Sequence, residues 1–296
     1  MATSRFPRPE FCADEAAERA EPLHATASRV DHWLLVEYRG VWAPDPLAGS
    51  SLSAAVKRHL ADQLDALPRS RLLFIRRPDR RQRPGLACFY ARTSERDPTL
   101  HGRELESDED LAGLELDVAA DGWRPLDHSL FLVCTHGKRD RCCARYGRPL
   151  YDALCEIAEE DRVWQATHVG GDRFAGNLLC FPEGLYFGRV GPGVAWRVLD
   201  EYLSGRIALD RYRGRCCYPF AAQAAEIALR KRTGALGLDD VRLLAIERAG
   251  REWRVSLAAG DTAHELKVLE ERAELAYLTC SASAMRHAPR FVVRDP

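Results

Sequence analysis

No C-x-x-C pair occurs in these 296 residues, although the chain holds ten cysteines. That absence removes the common zinc-knuckle and thioredoxin dithiol spacings. No run approaches the roughly 18 apolar residues of a membrane span. The opening stretch, MATSRFPRPEFCADEAAERAEP, lacks the apolar core of a secretory signal. A cytoplasmic location is the default expectation. An excess of charge of one sign is missing too: the formal net charge is −1, which gives no bulk reason to expect nucleic acid or a membrane surface as partner. The signatures G-x-S-x-G, G-x-x-x-x-G-K-[ST], H-E-x-x-H and G-x-G-x-x-G after a strand are all lacking.

What is present is an ordinary globular composition, 46% hydrophobic and 29% charged. The length suits about two domains of roughly 150 residues. The cysteines are unevenly placed. Cys134, Cys142 and Cys143 lie close together, and Cys216 and Cys217 are adjacent. In a reducing compartment such clustering points to metal or redox chemistry rather than structural bridges.

Hydrophobic periodicity divides the chain into α/β segments. HWLLVEYRG (32–40), RLLFIRR (71–77) and LACFYART (86–93) read as strands. SLSAAVKRHLADQLDAL (51–67) reads as a helix, with Leu52, Val56, Leu60, Leu64 and Leu67 at helical spacing. A short helix is expected within 1–30, and 94–110 reads as a loop. The second half starts with the strand SLFLVC (129–134), then the amphipathic helix CARYGRPLYDALCEIAEE (143–160) and the strand VWQATHV (163–169). A hairpin follows over 177–190 around Pro182-Glu183-Gly184, and then a helix over 194–205, giving the order β-α-β-β-β-α. A further helix (219–234) leads into four expected strands at 241–248, 252–259, 264–271 and 274–282, with the last dozen residues as a loose tail. The expected organisation is an N-terminal α/β domain (1–126), a second α/β domain (127–234) and a C-terminal antiparallel β extension (235–296).

Four residues stand out for chemistry. Cys134 closes a strand, Cys143 opens a helix, His168 closes the next strand, and Asp172 follows in a Gly-Gly loop. Strand ends, helix starts and loops of one α/β layer are where side chains can converge. A helix N-terminus favours the thiolate that a metal needs. Gly170 and Gly171 let backbone approach a bulky group and expose N–H donors.

Four blocks, CTHGKRDRCCARYGRPL (134–150), THVGGDRFAGNLL (167–179), LYFGRV (185–190) and YRGRCCYPF (212–220), resemble the sucrase/ferredoxin-like family. The segment 129–205 also resembles thioredoxin-like [2Fe–2S] ferredoxins. The matching features are Cys134, the run Cys143-Ala144-Arg145-Tyr146-Gly147, the pair His168 and Asp172 four residues apart, and Phe181-Pro182-Glu183-Gly184-Leu185-Tyr186-Phe187-Gly188. The resemblance implies a thioredoxin-like ferredoxin domain, preceded by an α/β domain that could repeat that architecture. It also implies a [2Fe–2S] cluster with Cys134 and Cys143 on one iron and His168 and position 172 on the other. Ferredoxins of this kind carry cysteine at all four positions, and related family members pair two cysteines with two histidines. Asp172 therefore departs from the pattern. Three readings stand: Asp172 ligates, Asp172 supports while another group completes the site, or this branch holds its cluster poorly or not at all. Imidazole in place of thiolate should raise the potential above that of an all-cysteine site.

The function expected is that of an electron carrier with a redox partner protein, rather than a stand-alone enzyme. The rivals are a thiol redox protein using Cys142 or Cys143 with Cys216 or Cys217, a zinc or other mononuclear metal site on the same ligands, and a binding scaffold that has lost its cofactor. Nothing marks a carboxylate pair flanking a sugar cleft. Cys155 and Cys180 read as core, and His136 as a solvated loop residue. Lys138, Arg139, Arg141, Arg145 and Arg148 make the cysteine loop basic. Cys12, Cys88 and Cys280 have no partner legible in sequence.

Overall fold

The computed structural model describes residues 10–77, 84–119, 122–159 and 161–294. In chain order the elements are α1 (Cys12–Glu18), β1 (His32–Glu37), α2 (Ala54–Asp65), β2 (Ser70–Arg76), β3 (Leu86–Arg92), β4 (Thr99–Leu105), β5 (Arg124–Pro125), β6 (Leu130–Cys134), α3 (Arg141–Ile157) and β7 (Val163–Ala166). They continue as β8 (Leu178–Phe181), β9 (Leu185–Phe187), α4 (Pro192–Leu203), β10 (Tyr212–Arg215), α5 (Phe220–Thr233), β11 (Val241–Ala249), β12 (Glu252–Ala259), β13 (Thr262–Ala276) and β14 (Arg286–Arg294). Among the described residues no helix is long and apolar enough to cross a membrane.

Two halves of the same topology share one ten-stranded sheet, in the order β10-β9-β8-β6-β7-β2-β1-β3-β4-β5. In the second half β6 and β7 are parallel, β8 runs antiparallel to β6, and β9 antiparallel to β8. In the first half β1 and β2 are parallel, β3 is antiparallel to β1, and β4 to β3. The order β-α-β-β-β thus occurs twice. The copies join where β2 pairs antiparallel with β7.

The period of two along a strand decides which core each residue enters. On β1, Leu34 and Val36 pack under α2 with Val56 and Leu60, while Trp33 and Leu35 face a core shared by both halves. On β6, Phe131 and Val133 pack against α3 and α4, while Leu130, Leu132 and Cys134 face the shared core. The aromatic edge contacts Trp33–Phe181 (5.4 Å) and Phe89–Trp164 (5.4 Å) tie the halves together there. Cys134 therefore ends its strand on the side where the two halves meet.

Several expected elements are relocated. The loop expected over 94–110 contains β4, which pairs with β3. Its sequence TLHGREL buries fully only Leu100 and Leu105, so it lacks the alternation that marks a half-buried strand. At the C-terminus, 264–271 and 274–282 are not two strands. β13 runs through most of that span, and the expected loose tail supplies the fourth strand, β14. The four-stranded antiparallel sheet β11-β12-β13-β14 packs on α5 through Val255, Leu257, Leu266 and Val268.

Candidate metal centre

The site is assembled beyond the C-terminal ends of β6 and β7. β6 places Cys134 at its last residue. Asp140 caps α3 by accepting the Cys142 N–H at 2.9 Å, and Cys143 lies in the first turn. The helix packs so close to β6 that a Cβ at Gly147 would collide with the Cys134 carbonyl. Glycine at that position is what lets α3 bring Cys143 to Cys134. After β7 the chain turns through Gly170 and Gly171, with φ of +101° and +82°, conformations that side chains other than glycine rarely adopt. This turn carries His168 and Asp172 to the cysteines. The buried Arg213 guanidinium holds it, donating to the Gly170 carbonyl at 3.0 Å and to Asn177 Oδ1 at 2.7 Å. Asn177 in turn donates to the Gly171 carbonyl at 2.9 Å.

The four residues expected to form the site are brought together. Donor atoms of Cys134, Cys143 and His168 lie within 4.8 Å of one another. Asp172 Oδ1 accepts from Cys143 Sγ at 3.2 Å and lies 2.9 Å from His168 Nδ1. Cys134, Cys143 and Asp172 are buried, whereas the His168 side chain is 24% exposed. The imidazole is the edge of the site that meets solvent.

Shared protons hold the donors together. A hydrogen bond from Cys143 depresses the Cys134 pKa well below the usual thiol range against the effect of burial, and His168 adds to it. The Cys143 proton is held correspondingly tightly, by that bond to Cys134 and by burial. Burial lowers the His168 pKa, but the close approach of the Asp172 carboxylate and of Cys134 outweighs it and raises the pKa to about 9. Burial also works against the Asp172 carboxylate, and His168 outweighs it, lowering the pKa. A metal would take the place of these protons.

The donor set fits an iron–sulfur group. Thiolate and imidazole are the ligands cluster irons take, and carboxylate is the harder, less usual one. The His168 Nδ1–Asp172 approach has the length of a hydrogen bond without its alignment, so that ring nitrogen is not committed.

Other expectations are corrected. His136 is buried rather than solvated: it packs edge-on against Trp42 at 5.8 Å, and neither ring nitrogen makes an aligned hydrogen bond. It lies near enough for Cys134 and His168 to influence its protonation. Cys155 is exposed, not core. Cys216 Sγ faces Thr93 Oγ1 at 3.3 Å. Arg173 pairs with Glu21 at 2.7 Å. A second group of donors, Cys12, Asp140, Cys142 and Cys280, was not legible in sequence.

The family model for sucrase/ferredoxin-like proteins matches residues 23–214, which include all four positions of this site. The chain belongs to the sucrase/ferredoxin-like family. Similar proteins include altered inheritance of mitochondria protein 32 of Meyerozyma guilliermondii, 27% identical over 188 residues, which are 57% of this chain and 64% of that protein. The protein of the same name from Eremothecium gossypii is 30% identical over 105 residues, covering 31% of this chain and 34% of that one. The chain thus matches less than two thirds of the length of these relatives. Among solved structures, a cysteine-to-serine variant of the thioredoxin-like [2Fe–2S] ferredoxin from Aquifex aeolicus matches 29% of this sucrase/ferredoxin-like chain and 97% of its own, at 17% identity and a TM-score of 0.26.

Proposed function

We propose that this chain is a one-electron carrier holding a [2Fe–2S] cluster, with Cys134 and Cys143 on one iron and His168 and Asp172 on the other. The convergence of two buried thiols, an imidazole and a buried carboxylate from three separate segments carries the reading. The bound cluster would supply a one-electron couple. Cys134 and Cys143 anchor the buried side, the Gly170–Gly171 turn keeps backbone out of the way, and the exposed edge of His168 offers the short route to a partner. Lys138, Arg139, Arg141 and Arg145 are exposed around the cysteine loop, whose acidic member Asp140 is buried. That rim suits an acidic redox partner. A reducing compartment such as the cytoplasm suits a site whose cysteines must stay thiols or thiolates.

A single zinc ion is the second reading, favoured by the 4.8 Å mutual spacing of Cys134, Cys143 and His168 donors. Anaerobic purification separates the two. The cluster reading expects a red-brown protein with visible charge-transfer bands and an S = 1/2 EPR signal on reduction. A colourless protein whose zinc is lost on Cys134→Ser would replace it with the zinc reading.

A further inference from the structure

The adjacent cysteines Cys142 and Cys143 point to different places. Cys143 belongs to the site above. Cys142 points about 100° away from Cys143 around the first turn of α3 and meets Cys12, the first residue of α1, and Cys280, from the connection between β13 and β14. The three sulfurs lie 3.7 Å (Cys12–Cys142), 3.3 Å (Cys142–Cys280) and 3.7 Å (Cys12–Cys280) apart. Asp140 completes the group, and all four residues are buried.

We infer that Cys12, Cys142, Cys280 and Asp140 form a second, structural metal site that binds one thiophilic divalent cation of the zinc type. The spacing carries the inference. A tetrahedral ion with metal–sulfur bonds of about 2.3 Å has sulfur–sulfur edges of about 3.8 Å, close to the triangle these thiols make. A disulfide would use only two of the three and leave a buried thiol over. The surroundings suit thiolates. The Ala13 N–H donates to Cys142 Sγ at 3.4 Å, and the Cys12 N–H to Cys280 Sγ at 3.5 Å. Asp140 Oδ1 and Oδ2 accept the Cys142 and Cys280 N–H groups at 2.9 and 2.6 Å, which fixes the carboxylate beside the thiols and leaves each oxygen a lone pair. The guanidinium groups of Arg141 and Arg145 stack over Phe11, which packs against the group, at 5.6 and 4.7 Å. Binding exchanges the thiol protons for the cation.

The site would clasp three segments far apart in sequence: Cys142 is 130 residues from Cys12 and 138 from Cys280. Cys12 and Cys280 also lie outside the region shared with the family, residues 23–214. The clasp would join the segments on either side of that stretch to the helix that carries the first site.

The test is element analysis of the full chain, purified without chelator, beside its Cys12→Ser, Cys280→Ser and Cys134→Ser variants. About one zinc per chain is expected in the wild type. It should be retained in Cys134→Ser and lost in Cys12→Ser and Cys280→Ser. Because a clasp variant could fail to fold, zinc-edge X-ray absorption of the wild type is the second measurement, with three sulfurs at about 2.3 Å and one lighter ligand expected. Wild-type protein that neither contains zinc nor takes it up from added zinc salt overturns the inference. So does zinc that survives both clasp substitutions, or an intact mass two protons light from a disulfide among these thiols. Iron content and the visible spectrum report separately on the first site.

Discussion

The close approach of α3 to β6 makes Gly147→Ala a sharp probe of how the fold places its ligands. A Cβ there would overlap the Cys134 carbonyl oxygen and sit 3.0 Å from its carbon, with Thr135 Cα at 3.5 Å. Both offending atoms are backbone, so no side chain can swing aside. The helix must retreat from the strand by roughly 1 Å, an overpacking cost of about 1–3 kcal/mol. Alanine in mid-helix returns up to about 1 kcal/mol of propensity. The net expectation is a loss of about 1–2 kcal/mol in urea unfolding. The larger effect expected is on the proposed cluster. Cys134 and Cys143 sit on the two surfaces being forced apart, and ligand sites tolerate only about 0.5 Å of misplacement. Iron and acid-labile sulfide per chain should fall several-fold even where far-UV circular dichroism stays native. Gly193→Ala is the control: it lies in α4, where an added Cβ would meet nothing within 4 Å, and should leave the iron content unchanged while stability rises by up to about 1 kcal/mol. Gly147→Ala protein with full iron and wild-type stability would refute the account of how Cys143 reaches Cys134.

Three further outcomes follow from other residues. Asp172→His replaces an anionic donor by a neutral one and should raise the reduction potential, on the order of 100 mV; an unchanged potential in voltammetry would remove Asp172 from the ligand set, and an unchanged spectrum in Asp172→Ala would make the buried His136 the next donor to test. Glu226 is fully buried and accepts from Arg230 Nε at 3.0 Å and Tyr212 Oη at 3.2 Å, with Arg215 Nε at 4.0 Å. Glu226→Gln leaves two buried guanidinium groups without their counter-charge and should cost about 3–5 kcal/mol in denaturant unfolding; a cost under about 1 kcal/mol would contradict this. Burial, with help from Lys231 and Arg290, lowers the His24 pKa from 6.5 to about 4. The unfolded chain then binds the extra proton first, so this contribution is complete above pH 6.5 and is lost as pH falls toward 4, by at most about 3 kcal/mol. His24→Asn should flatten the acid limb of the stability profile over that window, and an identical limb in the variant would refute the assignment.

How much of this was legible in sequence depended on the range of the interactions involved. Cys134, Cys143, His168 and Asp172 were readable because each is set by a local signal: a strand end, a capped helix start, a Gly-Gly turn. Continuous apolar runs marked β1 and β6, while β4 escaped because its burial comes from pairing with β3 and not from its own pattern. Arg213, which clamps the Gly170–Gly171 turn, carried no chemical mark beyond its place in the YRGRCC run. The Cys142-Cys143 doublet shows the limit most plainly. Read as a string, it offers two competing candidates for one ligand position, with one of them spare. In a helix of 3.6 residues per turn, neighbours point about 100° apart, so the doublet cannot serve one site with both thiols. It delivers one sulfur toward Cys134 and the other toward Cys12 and Cys280. The first partner lies nine positions earlier on the adjoining strand. The other two come from opposite ends of the chain, and only the closed fold brings them together. A cysteine doublet in the first turn of a helix is thus better read as two directions than as a redundancy, and the search for the second direction's partners belongs to the structure.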